Sequence, residues 1–102
     1  MISKELLNII NQLFEIQKKV EKEGYSKINR NLSRLSEELE NLGFSIVNPI
    51  GENYDDRRAD YTASIIGEKR KNFIISEVIK PIVYKKEGGS IVLAQKGIVI
   101  AE

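Results

Sequence analysis

The stretch GENYDDRRAD, residues 51–60, is dense enough in carboxylates to suggest chemistry. Glu52, Asp55, Asp56 and Asp60 offer hard oxygen donors of the kind that hold Ca²⁺ or Mg²⁺. Their spacing does not follow a D-x-[DN]-x-[DN]-G loop, and Arg57 and Arg58 stand among them. The reading expected is a solvated loop whose acids pair with its arginines. Basic clusters occur at Arg57-Arg58, Lys69-Arg70-Lys71 and Lys85-Lys86. Converging on one face with Tyr61, Phe73 or Tyr84, they would grip phosphates and stack bases. Each cluster lies in or beside a turn, however, where such residues serve solubility, and no RNP-like or KH-like signature accompanies them. Nucleic acid is therefore not an expected partner. Glu77, with Lys80 three residues on, would be a candidate base if buried. An edge-strand charge that discourages further pairing is the simpler account.

The chain of 102 residues has no Cys and no His. Disulfides, Cys- or His-based zinc sites, Cys or Ser–His nucleophiles and His acid–base catalysis are thereby excluded. Gly51, Gly67, Gly88, Gly89 and Gly97 are scattered turn glycines, with no G-x-G-x-x-G or P-loop grouping. No catalytic residue, metal or cofactor is expected, and the protein is not expected to be an enzyme. With a net charge of +1 there is no whole-protein field to draw in nucleic acid, anionic lipid or an acidic substrate. No signal-peptide pattern or membrane-length apolar run is present, so a soluble, cytoplasmic protein without a membrane partner is expected.

The elements that carry these residues change period near Gly43. Ile2, Leu6, Ile9, Leu13, Ile16 and Val20 step by four and three alternately, as the seam positions of a heptad do. Leu7, Ile10 and Phe14 add a second stripe, giving an apolar face wide enough to touch two neighbours. After Gly24 and Tyr25, with Ser26 as the expected N-cap, the spacing resumes at Ile28, Leu32, Leu35, Leu39 and Leu42. Residues 3–42 thus read as a helical hairpin that cannot cover its own apolar faces. Pairing two hairpins in a C₂ homodimer covers them, with Leu6, Ile9, Leu13, Ile16, Leu32, Leu35 and Leu39 at the dimer interface.

Beyond Gly43 the pattern is strand-like. Strands are expected at 44–47, 61–66, 73–80, 82–85, 90–94 and 98–101, with turns at 67–72, Gly88-Gly89 and Lys96-Gly97. The fold class is α+β: a hairpin, residues 1–42, forming a dimeric four-helix bundle, then a small all-β domain, residues 43–102, of about six short strands. A compact roll or small barrel is expected for the second part.

Four segments fall in a recognisable order: LENLGFSIV (39–47), NPIGENYD (48–55), EVIKP (77–81) and KGIVIAE (96–102). Through Leu42, Gly43, Pro49, Gly51, Glu52, Tyr54, Asp55, Glu77 and Val78, the chain resembles GrpE, the nucleotide exchange factor of DnaK-type chaperones. The resemblance covers essentially the whole chain. It implies a homodimer that binds the ATPase domain of a DnaK-type chaperone and speeds ADP release, with no cofactor. It also implies partner contacts through Ile79 and Ile100 and through Glu15, Lys18 and Lys19 of the first helix. The chain starts at Met1 just before the hairpin, so the family's long N-terminal paired helix is expected to be absent. Ala59-Asp60-Tyr61 and Lys80-Pro81-Ile82-Val83 also depart from the family pattern. These departures keep open a GrpE-derived dimeric interaction module without exchange activity.

Overall fold

The structure, a computed structural model, describes residues 2–24, 27–67 and 72–102. The described residues form two helices followed by six strands in two three-stranded sheets, an α+β fold. The chain divides into two compact units, Met1–Ser45 and Ile46–Glu102.

In the first unit, α1 spans Lys4–Glu23 and α2 spans Asn29–Asn41. Ser3 caps α1: its hydroxyl oxygen accepts from the Leu6 N–H at 3.2 Å, satisfying a donor that the helix leaves unpaired. Gly24 ends α1 at φ +73°, a left-handed conformation that costs glycine nothing, and its N–H bonds the Val20 carbonyl. The cap expected for α2, Ser26, lies outside the described residues. Ile28 occupies the N-cap position without a side-chain bond. Ile10, Leu13, Phe14 and Val20 of α1 are buried, as are Leu32 and Leu39 of α2. A polar link crosses between the helices, from Gln17 Nε2 to Ser36 Oγ at 3.0 Å.

The strands are β1 (Phe44–Val47), β2 (Tyr61–Ile65), β3 (Ile75–Lys80), β4 (Ile82–Glu87), β5 (Ser90–Gln95) and β6 (Gly97–Ala101). They order as β1-β4-β5 and as β2-β6-β3, with β6 parallel to β2 and antiparallel to β3. The core of the second unit is Tyr61, Ile75, Val78, Ile82, Val83, Val99 and Ala101. Gly88 and Gly89, at φ +53° and +84°, form the two-residue turn between β4 and β5. Left-handed φ at both positions matches the right-handed twist of the strands they join.

Where a roll or small barrel was expected, the six strands form two three-stranded sheets. Pro81, fully buried, separates β3 from β4. It has no N–H for a ladder, so the chain leaves one sheet there and enters the other. The Gln95 side-chain amide donates to the Pro81 carbonyl at 2.9 Å and fixes the crossing.

Gly97 is not a turn residue as expected but opens β6. A Cβ at this position would lie 2.8 Å from Ile82 Cγ1, so the two strands pass too closely for a side chain there. β3 starts at Ile75 rather than 73, because its predecessors are otherwise engaged. The Phe73 carbonyl accepts from the Tyr54 N–H, and Ile74 exchanges two backbone bonds with Glu102. Register shifts at Ile75/Glu77 and Val78/Lys80 mark two bulges. They give β3 a repeat of one buried residue and two exposed in place of alternation.

Candidate functional site

The acidic loop folds around one arginine. Arg58 binds Asp60 in a fork, Nε to Oδ1 at 2.9 Å and Nη2 to Oδ2 at 2.6 Å, and its Nη1 donates to Glu52 at 3.0 Å. Its guanidinium lies 4.8 Å from the centroid of the Tyr61 ring. The Tyr61 hydroxyl accepts from the Asp55 N–H at 2.8 Å and donates to the Asp55 carbonyl at 3.2 Å. From β4, the Tyr84 hydroxyl donates to Asp60 Oδ2 at 2.9 Å. Arg57 makes a second fork on Asp55 at 3.0 and 3.1 Å.

Electrostatics follow from these contacts. Hydrogen bonds from the Arg57 side chain and then its backbone N–H lower the Asp55 pKa to about 2. Arg58 chiefly, with help from Tyr84, holds Asp60 below the usual carboxylate range against its partial burial. Burial first, and the Asp60 carboxylate second, push the Tyr84 phenol up. The loop is thus held together by ion pairs: Glu52, Asp55 and Asp60 each face an arginine. Among the described residues no group of three or more acids is arranged to hold a metal ion.

The basic clusters do not assemble into a phosphate grip among the described residues. Arg57 and Arg58 are engaged by acids, and Lys85 Nζ donates to the Lys86 carbonyl at 3.0 Å. Residues 69–71 lie outside the described residues. Glu77 is exposed on β3, an edge strand.

The β2-β6-β3 sheet brings together Ile79 and Ile100, the apolar residues expected to meet a partner. Directly paired residues share a face, so Ile98 and Ile100 of β6 stand on the same side as Thr62 and Ser64 of β2. Glu77 pairs with Ile100 and Lys80 with Ile98 on that side. The second bulge turns Ile79 outward too, so that it is 44% exposed, beside Ile98 at 39% and a half-buried Ile100. Three isoleucines, bordered by Glu77 and Lys80, therefore lie on one solvent face of a hydrogen-bonded sheet. Ile98 was missed in the sequence reading, although alternation with Ile100 along β6 points to it. The face behind it is packed: Ile75, Val78 and Val99 are 3% exposed or less. A partner would meet a surface with little freedom to rearrange.

On α1, Glu15 and Lys18 form an ion pair at 3.3 Å, and Lys18 Nζ lies 5.5 Å from the Phe14 ring centroid. Together with Lys19 they line a shallow, open surface on the C-terminal half of the helix.

Of the seven residues expected at a dimer interface, Leu13, Leu32 and Leu39 are buried within the protomer and Leu6 is half-buried. Ile9, Ile16 and Leu35 are exposed, and so are Ile28 and Leu42. Ile9 and Ile16 are one heptad apart, as are Ile28, Leu35 and Leu42. An uncovered apolar stripe at seven-residue spacing therefore runs along each helix, distinct from the covered one. No described helix is long and apolar enough to cross a membrane.

Comparison of the chain with protein-family models, curated proteins and solved structures finds no match.

Proposed function

We propose that the chain is a GrpE-like co-chaperone: a homodimer that binds the ATPase domain of a DnaK-type chaperone and promotes ADP release. The observation that carries this reading is the solvent face of β2-β6-β3, where Ile79, Ile98 and Ile100 lie between Glu77 and Lys80. Ile79 and Ile100 are the residues that the resemblance assigns to partner contact, and a rigid sheet presents them without reorganisation cost. Work on a nucleotide cleft needs no proton transfer. The surface must favour the open cleft over the closed one, since equal binding to both shifts nothing. Glu15, Lys18 and Lys19 serve as polar contacts from α1. The uncovered heptad stripes support a four-helix bundle made by two hairpins.

The test is release of a fluorescent ADP from the source organism's DnaK-type chaperone, followed by stopped flow. Wild-type protein accelerates release, and Ile98→Glu, altered only on the exposed face, melts as wild type but does not accelerate. Failure of the folded wild type to accelerate release defeats the exchange reading.

One observation favours a second reading. Asp60 departs from the family pattern, and here it is tied to Arg58 and Tyr84. A loop fastened in this way suits a GrpE-derived dimeric interaction module with a different client. That module binds a partner stably without changing its nucleotide off-rate.

A further inference from the structure

The two sheets treat their outer edges differently. β3 carries two bulges, Glu77 and Lys80, and ends at Pro81, all devices that discourage another strand from pairing. β5, the edge of the other sheet, is SIVLAQ, six residues without charge or proline. Ile91 is 68% exposed and Leu93 39%.

The turn fixes which backbone groups face outward. Glu87 and Ser90 close a two-residue hairpin, so they form a hydrogen-bonded pair, and the pairs alternate from there. Lys86↔Ile91 and Tyr84↔Leu93 are then the non-bonded pairs. Ile91 and Leu93 consequently direct their N–H and C=O groups away from β4. Among the described residues no strand pairs with β5 on that side. Such a row is complementary to one kind of ligand, an extended backbone.

Two neighbouring features narrow the ligand further. A shallow pocket of about 350 Å³ adjoins Leu93, walled by Tyr84 and Ala59, with Arg58 and Asp60 neutralising each other at its rim. It suits an uncharged side chain. On the paired strand β4 and directly after β5 in the chain, Lys85, Lys86 and Lys96 outnumber the one glutamate, Glu87. That excess of positive charge favours acidic flanks on the incoming segment and opposes the approach of a second, identical edge.

We propose that the free edge of β5 binds, as an added strand, an extended peptide segment with apolar residues at alternate positions and acidic flanks. The proposal is independent of the co-chaperone reading, which uses the other sheet.

Two fluorescent peptides with the same alternating valine–threonine centre, one flanked by glutamates and one by lysines, test it against the 102-residue chain. Anisotropy titrations show the glutamate peptide binding about tenfold more tightly, a preference that shrinks as salt is raised. Amide exchange at Ile91 and Leu93 slows in the complex. Ile91→Pro removes an outward N–H without touching the β4 ladder, and weakens binding about tenfold. Leu93→Glu, a surface change that does not constrain the backbone, weakens the glutamate peptide selectively. Equal binding of both peptides, or binding without protection of Ile91 and Leu93, overturns the proposal. So does concentration-dependent protection of those amides in the peptide-free protein, which assigns the edge to a second copy.

Discussion

Replacing Leu35 by aspartate separates folding of the hairpin from the pairing proposed for it. Leu35 is 53% exposed within the protomer, and the four other stripe residues range from 42% to 58%. Covering half of such a side chain is worth roughly 1 kcal/mol, half of what complete burial yields. A two-fold interface counts each residue twice, so the five together supply on the order of 10 kcal/mol. Association entropy costs about 4–15 kcal/mol, so the proposed dimer has little to spare. Leu35→Asp removes about 2 kcal/mol per dimer, a rise of roughly 30-fold in Kd. It also sets a pair of carboxylates into the seam, which costs several kcal/mol more unless they stay hydrated. Sedimentation equilibrium with circular dichroism is the assay. Wild type sediments as a dimer, and Leu35→Asp shifts to monomer at the same concentration. Leu32→Asp behaves differently: Leu32 is only 8% exposed, so a charge there disrupts the hairpin itself and helicity is lost. A folded wild type that stays monomeric at all concentrations, or a Leu35→Asp variant as dimeric as wild type, refutes the bundle.

Three further outcomes are expected. Gly97→Ala forces Ile82 or the strand to shift and lowers stability by about 1–3 kcal/mol in urea titrations, with non-additive coupling when combined with Ile82→Ala. Tyr84→Phe removes the hydrogen bond to Asp60 and lowers stability by about 1 kcal/mol, and Arg58→Ala makes the two losses non-additive. Asp55 titrates at about 2 in the folded protein against an ordinary value of 3.8, so the stability it contributes is complete above pH 4 and is lost as pH falls towards 2. Thermal melts across that window therefore fall more steeply for wild type than for Arg57→Ala. Equal slopes would count against the Arg57 fork as the cause.

The sequence made the period legible but not the pairings. Helical spacing ended at Gly43, and the six strands lay within about two residues of where alternation placed them. Side-chain period reports which face a residue takes, and it says nothing about which strand lies alongside. Nothing local in residues 61–65 and 97–101 announces a parallel pair made across the intervening strands. The bulges in β3 escaped for a related reason. ISEVIK reads as plain β-rich sequence, and only the register against β6 shows the repeat of three. The acidic loop was legible as a set of ion pairs, because arginines interleaved with aspartates leave few other ways to balance charge. The tie from Tyr84 to Asp60 was not, because 24 residues separate them. In the helices, spacing identified the apolar positions but not which stripe the hairpin covers. Ile9 and Leu13 read as equivalent seam residues, yet one is exposed and the other buried.

The central place of β6 in the β2-β6-β3 sheet has a consequence for synthesis. Among the described elements β6 follows both β2 and β3 in the chain, yet both pair with it and not with each other. As the chain emerges from the ribosome, the β4–β5 hairpin can close at once, while β2 and β3 wait with their backbone groups bound to water. The sheet bearing Ile79 and Ile98 is therefore assembled only when translation has passed residue 101. A chain stopped just before Gly97 keeps both helices and five strands in its sequence, but has lost the strand that joins β2 to β3.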